Sequence, residues 1–118
     1  MSAGRYNLQI GQGKLYDKTF TWKINDALVN LTGYSAKLRL YTSSQPNILT
    51  LTTTLDGLGN GIILGGSAGT VRIVIKTAKT TTFSFSKASY ELELTQPDGE
   101  DVPFLIGGAY VTKEYIDP

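Results

Sequence analysis

Glu91 and Glu93 are two residues apart in the chain. In a strand this spacing puts both carboxylates on one face, where a pair of acids could perform general acid–base chemistry. Leu92 and Leu94 alternate with them. We therefore interpret the two acids as the solvated face of a half-buried strand.

The other acidic groups of interest lie in turn-prone segments. Asp56 and Asn60 are four apart in a glycine-rich loop, which could bind calcium weakly. Calcium takes six or more oxygen ligands, and only Asp56 is charged there, so a hairpin turn is the favoured interpretation. Asp98, Glu100 and Asp101 surround a Pro-Asp-Gly turn, where carboxylates commonly accept hydrogen bonds from nearby amides.

The sequence lacks the residues and motifs that nucleophilic catalysis and phosphate binding usually require. Residues 65–69 (GGSAG) are rich in glycine, but the pattern GxxxxGK[ST] does not follow. The chain has no histidine and no cysteine, which removes the commonest general base and the main zinc ligands. No SxxK motif offers a lysine base to a serine. We therefore expect no enzyme activity, no catalytic residues, no metal and no cofactor.

Tyrosines are the best candidates for contacts with a partner. Tyr34, Tyr41, Tyr110 and Tyr115 could lie on strand faces or ends, where an aromatic ring packs well against a protein or a sugar. Partial burial within their own domain is the alternative.

Composition limits the classes of function. The chain has 118 residues and a net charge of +1, so it is long enough for one core and lacks the positive charge expected of a nucleic-acid-binding protein. Its start does not resemble a signal peptide, and no apolar stretch is long enough for a membrane helix. We expect a soluble cytoplasmic product with no nucleic-acid or membrane partner and with no small-molecule ligand.

Alternating apolar residues predict the elements that must position these side chains. Alternation occurs in residues 19–24, where Trp22 is a core candidate, and in residues 36–41, 71–75 and 90–95. Residues 61–64 and 70–75 flank the glycine-rich segment and predict a hairpin. Further strands are expected at 48–54, 102–106 and 109–112. Residues 77–87 have no clean period and are expected to form one helical turn or a loop that crosses between sheets.

These seven or eight short strands predict an all-β, immunoglobulin-like antiparallel β-sandwich. No linker or repeat divides the chain, so residues 1–118 are expected to form a single domain. The short terminal segments, residues 1–5 and 115–118, are expected to be flexible or held by a neighbour.

Five sequence signatures follow one another along the chain: YNLQIGQGKLYDKTFTWK (6–23), NLTGYSAKLRL (30–40), GIILGGSAGTVRIVI (61–75), YELEL (90–94) and GGAYVTKEY (107–115). Their order and spacing resemble those of a family of small bacteriophage virion proteins. They are similar in pattern to the N-terminal domain of phage baseplate upper proteins. This chain departs from the family pattern before YELEL, where Lys87, Ala88 and Ser89 stand and a glycine is usual.

The resemblance implies a structural component of the virion, in the tail, neck or baseplate. It implies that the protein is made in the host bacterial cytoplasm and contacts other phage structural proteins and identical copies of itself. Two alternatives remain open: a carbohydrate-binding module for host surface glycans, and a head decoration protein.

Overall fold

A computed structural model describes residues 4–113, which form a mostly β, sandwich-like domain. Its strands are β1 (Gly4–Arg5), β2 (Leu8–Gly11), β3 (Tyr16–Thr21), β4 (Lys23–Ile24), β5 (Ala27–Leu28), β6 (Ser35–Tyr41), β7 (Leu49–Thr52), β8 (Gly61–Leu64), β9 (Thr70–Ile75), β10 (Lys87–Thr95) and β11 (Asp101–Thr112). Three of these eleven strands have only two residues, which leaves eight longer ones in the described part of the chain. The number agrees with the expected seven or eight strands, but the sets differ, because β2 was not predicted and β11 was predicted as two strands.

The larger sheet has the strand order β1-β11-β10-β6-β7, and β2 continues from β1 along the same side of β11. β6 and β10 form its centre, with Leu38 opposite Leu92 and Leu40 opposite Tyr90. These four side chains are buried, while their strand neighbours face outward. The alternation read from the sequence therefore sets the inner and outer faces of this sheet.

The start of the chain pairs with its end in the parallel direction, so the prediction of a wholly antiparallel sandwich was wrong. Gly4 is in register with Leu105 through β1, and Leu8 is in register with Ala109 through β2. Gly4 and Arg5 thus pair inside the domain, although residues 1–5 were expected to be flexible or held by a neighbour. The pairing partners are about a hundred positions apart, and no local pattern encodes such a contact.

The smaller sheet has the order β3-β9-β8 and is antiparallel throughout. The predicted hairpin between β8 and β9 is confirmed, and its connection contains a 3-10 turn at Gly66–Ala68. Gly69 ends that turn with a left-handed φ of 67°, a conformation that glycine adopts without a steric cost. A side chain at position 69 would meet the carbonyl oxygen of Val29 at 2.9 Å.

Residues 19–24 do not form one continuous strand, contrary to the sequence prediction. β3 ends at Thr21, and a separate two-stranded hairpin pairs β4 with β5. Asn25 and Asp26 have positive φ values of 51° and 66°, which suit a tight two-residue hairpin turn. Trp22, the core candidate, is therefore only half-buried at the edge of the core, and Ile24 is exposed.

The two sheets enclose one apolar core. It is built from buried side chains of both sheets and of two connecting segments: Leu8, Ile10, Tyr16, Leu31, Ala36, Leu38, Leu40, Leu49, Leu51, Ile62, Val71, Ile73, Ile75, Phe83, Ala88, Tyr90, Leu92, Leu94, Ala109 and Val111. Residues 76–86 connect the sheets through one helical turn, α1 (Thr77–Thr80), followed by a loop. The sequence pattern left a helical turn and a loop as alternatives for residues 77–87. The Thr80 hydroxyl is buried and donates to the Lys14 carbonyl at 2.8 Å.

β11 is a single twelve-residue strand, although the sequence predicted two. Its register with β10 shifts between Leu92 and Glu93, and this bulge leaves Phe104 without a partner in the ladder. None of the helices in residues 4–113 is long and apolar enough to span a membrane.

Candidate functional site

The outer face of the larger sheet carries a row of residues that crosses three strands. Ser89 on β10 is in register with Tyr41 on β6 and with Gly108 on β11. The next row along the sheet pairs Lys87 with Tyr110. Because residues two apart in a strand face the same side, these five residues all point away from the core. The register therefore brings two tyrosines to one part of the outer face, with small residues between them.

A shallow groove of about 430 Å³ lies on this face. Tyr41 and Tyr110 line it together with Ser89, Gly107 and Gly108. Both tyrosines are half-buried, so each ring is supported by the domain and still reaches the surface. We call this concavity, with its lining of Arg5, Asn7, Tyr41, Lys87, Ser89, Tyr90, Glu91, Ile106, Gly107, Gly108 and Tyr110, the tyrosine groove.

Gly108 fixes the position of the Tyr110 ring. A Cβ at position 108 would lie 2.8 Å from Cε2 and 3.1 Å from the hydroxyl oxygen of Tyr110, so only glycine leaves room for the ring to lie across the strand. The Lys87 ammonium lies 5.7 Å from the centre of the same ring, within the range of a cation–π contact. The groove thus has a preformed aromatic wall with a positive charge beside it.

Tyr41 is held by charged neighbours on the same face. Its hydroxyl donates to Oε1 of Glu91 at 3.3 Å, and the Arg39 guanidinium lies 5.2 Å from its ring centre. Glu91 is also directly across the strand pair from Arg39, where opposite charges attract. These contacts favour one orientation of the Tyr41 ring on the outer face.

The segment between β1 and β2, which contains Tyr6 and Asn7, forms the third side of the groove. Asn7 accepts a hydrogen bond from the Gly108 amide through Oδ1 at 3.0 Å, and the Tyr6 carbonyl lies against Gly107. A side chain at Gly107 would overlap that carbonyl. Gly107 thus lets the segment between β1 and β2 pass close to β11, and Arg5 at the end of β1 lines the groove.

Comparison of the sequence with protein-family models and with curated proteins finds no match. The groove is therefore interpreted from its own geometry and chemistry.

The four tyrosines proposed from sequence fall in three places. Tyr41 and Tyr110 both line the tyrosine groove, whereas Tyr34 packs against the apolar core from a turn. Tyr115 lies outside the described residues. The sequence analysis did not identify Arg5, Lys87 or the glycine pair as part of the site, since these residues join the tyrosines only through the pairing of β1, β10 and β11.

The acidic residues considered for chemistry occupy the positions that their turns and strands predict. Asp56 accepts hydrogen bonds from the amides of Leu58 and Asn60 at 2.8 and 2.9 Å, and from the Asn60 side chain at 2.8 Å. The Asn60 side-chain hydrogen bond is the main cause that lowers the pKa of the Asp56 carboxyl. Asp98 likewise accepts from the Glu100 amide. Across residues 4–113, no three acidic side chains come together in a way that could hold a metal ion.

A second concavity, of about 460 Å³, lies where the small hairpin meets the larger sheet. Trp22 and Phe104 line it, and their ring centres are 5.4 Å apart. Ile24 at its rim is 46% exposed. This site is mainly apolar and has fewer polar groups to orient a partner than the tyrosine groove has.

Proposed function

We propose that this domain is a structural component of a bacteriophage virion, in the tail, neck or baseplate, and that it acts through protein–protein assembly contacts. The five ordered sequence signatures support the phage assignment, and an immunoglobulin-like arrangement of the sandwich is part of the same proposal. Other phage structural proteins and identical copies of the chain are the proposed partners.

The tyrosine groove carries the functional part of this proposal. Tyrosine is enriched at the energetic centres of protein interfaces because its ring buries a large apolar area with little loss of side-chain entropy. Here the Tyr41 and Tyr110 rings are positioned in advance by Glu91 and Gly108. A stable contact would cover about 800 Å² of this domain, which is larger than the groove and would include the surrounding outer face of the sheet.

The outer face of the smaller sheet is a weaker candidate. Its principal charges already pair with each other: Arg72 donates to both carboxylate oxygens of Asp17, at 2.8 and 2.6 Å. The hydrogen bond from Arg72 is the main cause that lowers the pKa of Asp17. Because Arg72 and Asp17 already pair with each other, this face offers a partner fewer charged side chains that are free to bind.

Incorporation into particles tests the proposal. Tyr41→Ala and Tyr110→Ala should each reduce the amount of this protein in purified particles at least tenfold, as expected for residues worth about 2 kcal/mol or more at an interface centre. Ile63→Ala is the matched control, because it removes an exposed apolar side chain from the smaller sheet. Circular dichroism should show the same fold for all three variants.

Normal incorporation of both folded tyrosine variants would contradict the proposal. A carbohydrate-binding module is the second candidate, since two aromatic rings beside a shallow groove also suit a sugar. A glycan array with the isolated domain separates the two. Tyrosine-dependent binding to a defined glycan, with incorporation unchanged, would replace the assembly role by glycan recognition.

A further inference from the structure

The tyrosine groove is lined by two cations, Arg5 and Lys87, and by one carboxylate, Glu91. Along β6 and β10, Glu91 is opposite Arg39 and Glu93 is opposite Lys37. In each of these two cross-strand pairs, one positive charge lies opposite one negative charge. Two cations of the groove, Arg5 and Lys87, remain.

Neither of these two cations is neutralised within the part of the chain that the structure describes. No carboxylate among residues 4–113 forms an ion pair with Arg5 or with Lys87. Lys87 contacts the Tyr110 ring, a contact that leaves its positive charge in place. Both side chains line the groove, on either side of the small residues Ser89 and Gly108.

The sheet register gives the spacing of these charges. Arg5 is in register with Ile106, and Lys87 is in register with Tyr110. Four residues along β11 correspond to about 13 Å, and the two inter-strand spacings from β1 across β11 to β10 add about 10 Å across the sheet. An extended peptide bridges such a separation with acidic residues four or five positions apart. Side chains two positions apart in an extended peptide share a face, so an aromatic residue midway between two acids would lie near Ser89, beside the Tyr110 ring that lies across Gly108.

We propose that the tyrosine groove binds an extended acidic segment of a partner protein, with two carboxylates about four residues apart and an aromatic residue between them. The carboxylates pair with Arg5 and Lys87, and the aromatic residue packs between Tyr41 and Tyr110. This inference rests on the proposed assembly function and specifies the chemistry of the partner.

Titration with a short peptide tests the inference. The probe is the blocked peptide Ser-Asp-Ser-Tyr-Ser-Asp-Ser, and the readout is the set of amide shifts in two-dimensional ¹⁵N nuclear magnetic resonance spectra. We expect the amides of Ser89 and Gly108 to shift. A peptide with asparagine in place of both aspartates should bind at least tenfold more weakly, and raising the salt concentration should weaken the acidic peptide.

Charge reversal in the domain provides the complementary test. Arg5→Glu and Lys87→Glu should each weaken peptide binding at least tenfold, and the spectra themselves report whether each variant is folded. Lys23→Glu is the control, since it makes the same change of charge on the small hairpin and should leave the affinity within twofold.

Three results would overturn the inference: no shifts with the acidic peptide, equal binding of the asparagine peptide, or equal weakening by Lys23→Glu. Trigalacturonic acid is the probe for an acidic glycan. Shifts at Ser89 and Gly108 with that sugar, and none with the peptide, would assign the groove to a glycan. If the tyrosine variants still fail to enter particles while the peptide does not bind, the assembly function stands and only the acidic-segment inference fails.

Discussion

Tyr90→Phe removes one buried hydroxyl and keeps the aromatic ring in the core. The Tyr90 side chain is 1% exposed, and its hydroxyl donates to the Tyr6 carbonyl at 2.5 Å. That hydrogen bond ties β10 to the chain between β1 and β2. Phenylalanine fills the same space but leaves the carbonyl without this donor, so we expect a loss of about 1–1.5 kcal/mol in the free energy of unfolding at pH 7.

The same substitution should change how stability depends on pH. Burial is the main cause that raises the pKa of Tyr90 to about 12 from its ordinary value of 10.0. The folded state therefore favours the neutral phenol, so the contribution of Tyr90 is fully present below pH 10 and is lost as the pH rises from 10 towards 12. With these two pKa values, the free energy of unfolding falls by roughly 1–2 kcal/mol between pH 7 and pH 11. The Tyr90→Phe protein has no phenol to ionise at this position, so it does not lose this part of its stability.

The difference in stability between the wild type and Tyr90→Phe should therefore nearly vanish at pH 11. Tyr16 is present in both proteins, and burial, the main cause that raises its pKa, is kept when Tyr90 is replaced by phenylalanine. Urea unfolding followed by fluorescence of the single tryptophan measures both free energies. An equal stability difference at pH 7 and pH 11 would refute the reasoning, because it would mean that the phenol ionises as easily in the folded state as in the unfolded state.

Two further substitutions test how the domain is held together. Gly107→Ala places a Cβ against the Tyr6 carbonyl and should lower the free energy of unfolding by about 1–3 kcal/mol in urea titrations, whereas Gly57→Ala, with no heavy atom within 4 Å of the added Cβ, should change it little. Thr80→Val removes the buried donor to the Lys14 carbonyl and should cost about 1–2 kcal/mol by the same assay. An unchanged Gly107→Ala or Thr80→Val protein would contradict the close approach or the buried hydrogen bond, respectively.

Local sequence patterns were sufficient for the central strands. Alternation in β6, β9 and β10 predicted both the strands and the faces that they bury, because a strand's side chains alternate with a period of two. Turn chemistry at Asp56 and Asp98 was also readable, since it involves residues only two to four apart. In each case the interacting groups are close in sequence.

The small hairpin shows where a local signal was present and was missed. Asn25-Asp26 is a favourable pair for a two-residue turn, but the regular alternation of Phe20, Trp22 and Ile24 favoured one longer strand. The left-handed backbone at both turn residues reverses the chain there. Ile24 is consequently placed outside the core.

The tyrosine groove depends on pairings that the sequence does not reveal locally. Tyr41 and Tyr110 are 69 positions apart, and both line the groove because β10 pairs with β6 on one side and with β11 on the other. Arg5 reaches the groove through a parallel pairing with Ile106. Such contacts are set by the fold as a whole. The sequence could therefore identify the tyrosines as candidates but could not predict which residues lie together in the groove.

Photo-crosslinking in the assembled particle tests the central claim most directly. Benzoylphenylalanine is introduced in place of Gln9, an exposed residue in register with Tyr110 at the edge of the groove, or in place of Thr19, an exposed residue of the smaller sheet. Mass spectrometry identifies the adducts. We expect position 9 to crosslink to another particle protein or a second copy, and position 19 to give little product. Crosslinking from position 19 alone, or from neither position in particles that contain the protein, would contradict the claim that the outer face of the larger sheet is the docking surface.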